Sequence, residues 1–78
     1  MNKDQIKETA LNKLDKAVKA ELKNLRDTNE PLTNFHLDST SWNFSSEELK
    51  EVQRNIDEIN CCNFRLEQYC RNRSISIN

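Results

Sequence analysis

The sequence predicts a mainly α fold: two long helices folded into an antiparallel hairpin across a short aromatic connector. Three features of the 78 residues predict it. Apolar residues recur at spacings of three and four over two long stretches. A capping box marks the start of the second stretch, and the only proline, Pro31, falls between the two.

The first helix is expected over about Asp4 to Asp27. Leu11, Leu14, Val18, Leu22 and Leu25 stack on one face, Ala10 and Ala17 widen it, and Ile6 extends it toward the N-terminus. Alanine, leucine, lysine and glutamate dominate, all good helix formers. Asp15 and Lys19 stand as an acid-before-base pair one turn apart. Thr28-Asn29-Glu30-Pro31 closes the helix, because the residue before a proline avoids helical angles.

The second helix is expected from about Ser46 to Asn72. Ser45 and Glu48 stand at the capping-box spacing, and Phe44 and Leu49 at the hydrophobic-staple positions, so two signals agree on one start. Glu47, Glu48 and Glu51 sit near the positive end of the helix dipole, and Arg71 and Arg73 near the negative end. The stripe fits a heptad, with Leu49, Ile56, Asn63 and Cys70 at one position and Val52, Ile59 and Leu66 at the other. That pattern predicts a homodimer seam of Val52, Ile56, Ile59, Asn63 and Leu66, the asparagine setting the register. The same stripe serves an intramolecular hairpin equally well.

The connector carries Phe35, Trp42 and Phe44, three of the five aromatics, so it is expected to cover the core. Phe35-His36-Leu37 and Trp42-Asn43-Phe44 alternate apolar and polar residues around Asp38-Ser39-Thr40-Ser41. The alternation suits a two-stranded hairpin over residues 34–44, and an ordered loop fits as well.

Residues 1–78 read as one small helical domain. With 35% apolar and 32% charged residues the core is small, and chains of this size often gain stability from self-association. Glycine is absent, which excludes the phosphate-cradling and dinucleotide-binding loops. Net charge is −1, so no global field draws the chain to nucleic acid or an anionic membrane. No apolar run approaches the roughly 20 residues of a membrane span, and the N-terminal residues lack a secretory pattern; a cytoplasmic protein is expected.

Chemistry is sparse. A structural zinc site wants four ligands, usually with cysteines in spaced pairs, whereas Cys61 and Cys62 are adjacent and His36 is remote. Cys62 and Cys70 would lie about 12 Å apart along a helix, beyond the roughly 7 Å limit for a disulfide. Cys70, with Cys62 as a second candidate, is expected as a small core residue. His36 and Asp38 resemble a base and its partner, but no nucleophile accompanies them. Neither a catalytic site, a metal nor a cofactor is expected.

Two features remain for binding. Lys16, Lys19, Lys23 and Arg26 line one flank of the first helix beside its apolar stripe. Cys61 and Phe64 share a face away from the main stripe of the second helix: exposed, they form a small contact patch, and covered by the connector aromatics they are core. The leading expectation is a non-catalytic protein that binds and modulates a larger protein partner. The abundance of asparagine, lysine and isoleucine suits a phage- or plasmid-type accessory regulator or inhibitor. The alternative is a nucleic-acid-binding regulator using the basic row, which has no interleaved aromatics for base stacking.

Overall fold

A computed structural model describes residues 2–77. Three α-helices make up most of it: α1 (Lys3–Asp27), α2 (Ser46–Cys61) and α3 (Asn63–Asn72). Two short 3-10 turns, Leu32–Asn34 and Ser39–Trp42, occupy the connector.

The first helix begins one residue earlier than its pattern suggests. Asn2 Oδ1 accepts from the Gln5 amide at 2.9 Å and so supplies the N-cap. The far end solves the problem that a glycine-free chain sets itself. Asn29 takes the left-handed conformation (φ 56°), and the Glu30 amide donates back to the Leu25 carbonyl at 2.8 Å. That is a Schellman closure with asparagine in the place glycine usually fills. The end of α3 repeats it: Ser74 has φ 58°, and the Ile75 amide donates to the Cys70 carbonyl at 2.8 Å. Ile75 is thereby turned into the core, where it is 6% exposed.

The expected capping box is present in full. Ser45 Oγ accepts from the Glu48 amide, and Glu48 Oε1 accepts from the Ser45 amide. Phe44 and Leu49, the staple residues, are both half-buried against the core.

The expected single helix from Ser46 to Asn72 is instead two. Cys62 is fully extended (φ −164°, ψ 161°), ending α2 and capping α3. With Asn63 at the seam position, no apolar stripe residue lies between Ile59 and Leu66, about 10 Å of helix, so nothing apolar holds that turn to the core. Breaking there lets α3 bring Leu66 and Cys70 back into the one cluster that already holds Ala10, Leu14, Ala17, Val18 and Leu22 of α1 and Val52, Ile56 and Ile59 of α2.

The two-stranded hairpin does not form; no strand occurs among the described residues. Two local competitors claim the backbone. Asp38 Oδ1 accepts from both the amide and hydroxyl of Thr40, which starts a 3-10 turn where the hairpin loop was expected. Asn60 of α2 then holds Leu37 by both backbone groups: the Leu37 amide donates to Asn60 Oδ1 and Asn60 Nδ2 donates to the Leu37 carbonyl, each at 2.9 Å. A side-chain amide thus takes the pairing a neighbouring strand would have made. Leu37 itself is 1% exposed.

Two polar ties fix α1 to the rest. Lys13 Nζ donates to Glu48 Oε1 at 2.8 Å, so the buried carboxylate that completes the cap also anchors α2 to α1. Glu48 is therefore more than a solvated dipole partner. Asp15 does not pair with Lys19. Its carboxylate accepts a bidentate pair from Arg73 Nε and Nη2 and a 2.6 Å hydrogen bond from the Tyr69 hydroxyl, latching α1 to α3.

Candidate functional site

The basic row is laid out by α1. Lys16, Lys19, Lys23 and Arg26 span about 15 Å of helix within an arc of roughly 80°. All four are exposed, on the side of α1 away from buried Leu14, Ala17 and Val18. The Arg26 end of the row adjoins the apolar stripe, through a cleft shared with Leu22, Leu25, Leu32 and Glu67. The latch matters here. By turning Asp15 toward Arg73 and Tyr69, it removes the acid nearest Lys16 and Lys19. Lys16, Lys19 and Lys23 make no ion pair with any described residue.

The second feature lies at the α2–α3 junction. Phe64 is 64% exposed, the one large apolar side chain so placed among the described residues. Cys61 and Cys62 are exposed beside it in sequence, so Cys62 is not the core residue it was expected to be. Cys70 is buried, and burial, reinforced by the Asp15 and Glu67 charges, pushes its thiol up from its ordinary range.

The seam residues Val52, Ile56, Ile59 and Leu66 are enclosed by the chain's own helices, at 3% exposure or less. Asn63, the expected register residue, is half-buried as the first residue of α3. A second copy would have to meet other faces.

Asp38 is engaged by its own turn. Asp38 gives its oxygens to Thr40 and Ser41, and those hydrogen bonds hold its carboxyl below the ordinary range. Glu48 is also held low, first by the Lys13 hydrogen bond and then by the Ser45 amide. The Tyr69 hydroxyl moves the other way: burial, then its hydrogen bond to Asp15, raises it far above 10.0. All three groups sit in caps and ties between helices.

Among the described residues no group of three or more histidine, cysteine, aspartate or glutamate side chains could hold a metal ion, and no helix is long and apolar enough to cross a membrane. Asn60 and the Asp15 latch were invisible to sequence reasoning, since each joins residues at least 23 positions apart. No family model, curated protein or solved structure matches the chain.

Proposed function

We propose that this chain is a non-catalytic interaction protein that binds and modulates a larger protein partner through the basic face of α1. One observation carries the reading: Lys16, Lys19 and Lys23 project from a rigid helix without a described counter-charge, although the chain as a whole is close to neutral. An ordered row of unpaired ammonium groups suits an acidic protein surface, where complementarity supplies orientation and association rate. The exposed Phe64 at the α2–α3 junction offers an apolar contact of the kind that anchors such complexes. A homodimer remains compatible with this reading through these exposed faces.

The test combines affinity capture with charge reversal. The parent and a Lys16→Glu, Lys19→Glu, Lys23→Glu variant are compared for capture of a partner, with and without nuclease. The reading expects one stoichiometric protein, retained after nuclease and lost in the variant, with helical content unchanged. Capture abolished by nuclease, with a steep fall in affinity for DNA or RNA as salt rises, would instead establish the nucleic-acid reading.

A further inference from the structure

We propose that Cys61 and Cys62 form a two-thiolate site for a thiophilic trivalent metalloid, of the arsenic(III) class. The site goes beyond the partner-binding reading and does not depend on it. Both thiols are solvent-exposed and adjacent in the chain, at the one break between α2 and α3. A cysteine embedded in a helix has its side-chain rotamers restricted by the preceding turn. Cys62 stands outside that restriction, in extended backbone, with its side chain making no cap hydrogen bond. The third cysteine, Cys70, is enclosed in the core and does not compete.

Geometry selects the ligand. The peptide between the two cysteines is trans, so their Cα atoms lie about 3.8 Å apart. An ordinary disulfide spans about 4.4–6.8 Å between Cα atoms, and shorter spans store strain. Direct closure of the two sulfurs is therefore disfavoured, whereas a large atom placed between them enlarges the ring and relieves it. A tetrahedral zinc site needs further protein ligands that the described residues do not supply. A monosubstituted arsenic(III) centre needs only two thiolates. With phenylarsine oxide the arsenic–oxygen double bond breaks and two arsenic–sulfur bonds form. The two thiol protons leave with the oxygen as water, and arsenic stays trivalent. The product bridges the last residue of α2 and the cap of α3.

The experiment titrates the intact, reduced protein with phenylarsine oxide. Adducts are followed by intact mass in excess glutathione, a monothiol that strips singly attached arsenic. The parent is expected to keep one arsenical per chain, with both exposed thiols, Cys61 and Cys62, newly protected from a thiol reagent, and to release it to dithiothreitol. Cys61→Ser and Cys62→Ser should each lose the glutathione-resistant adduct. Cys61→Ser carries the decision if Cys62→Ser disturbs the start of α3. An adduct that glutathione removes from the parent, or one that survives in Cys61→Ser with the helices intact, would overturn the site.

Discussion

Replacing Asn60 by alanine removes the clamp that holds the connector to α2. Two hydrogen bonds of 2.9 Å disappear at once, and they are the two that satisfy the Leu37 amide and carbonyl. Each is worth a net 0.5–1.5 kcal/mol or so, with a further penalty where the orphaned group stays out of water. Leu37 is buried and Asn60 half-buried, so water replaces the lost partner only in part. The expected loss is about 2–3 kcal/mol, a large share of the stability of a domain this size. At about 4–8 °C per kcal/mol, the melting midpoint should fall by about 10–20 °C. Urea and thermal unfolding followed by circular dichroism measure both quantities, and amide exchange at Leu37 should accelerate selectively. Asn60→Asp sharpens the test. As a carboxylate it places an acceptor against the Leu37 carbonyl and should be at least as destabilising as alanine. Below about pH 4 the protonated carboxyl regains a donor, and the gap to the parent should narrow. An alanine variant within about 0.5 kcal/mol of the parent, with Leu37 exchange unchanged, would refute the clamp.

Two further perturbations probe the ties around α1. Ser45→Ala should cost about 1 kcal/mol through loss of the N-cap. Glu48 titrates lower in the fold than its ordinary 4.5, so its contribution is present above that pH and fades as pH falls through the folded value. Glu48→Gln should flatten that part of the acid limb, and an unaltered pH–stability curve would argue against the Lys13 tie. At the α1–α3 latch, Tyr69→Phe should cost about 1.5–3 kcal/mol, as one hydrogen bond to a carboxylate is lost. Because the folded phenol titrates above its ordinary 10.0, its contribution holds below that pH and drains away above it. The phenylalanine variant should therefore lose less stability than the parent in alkaline unfolding experiments.

The sequence by itself determined what depends on neighbours along the chain. The apolar face of α1, the stop before Pro31 and the capping box at Ser45 and Glu48 are all set within one or two turns, and each forms as read. Composition determined the mainly helical character, and the absence of glycine left Asn29 and Ser74 to take the left-handed closures. Tertiary structure decided what lies opposite each face. Periodicity states that Val52, Ile56 and Ile59 are apolar together, but not whether a second copy or α1 covers them. The break at Cys62 follows from the same ignorance, because a helix pattern with one polar seam residue does not say which way the chain turns to rebury Leu66 and Cys70. Polar partners were least legible. Asp15 had a suitable lysine one turn away and took Arg73 and Tyr69, 58 and 54 residues distant. A half-buried carboxylate gains more from a bidentate guanidinium and a phenol than from an exposed ammonium in water. That choice, made only once α3 packs on α1, is also what leaves Lys19 without the acid one turn before it.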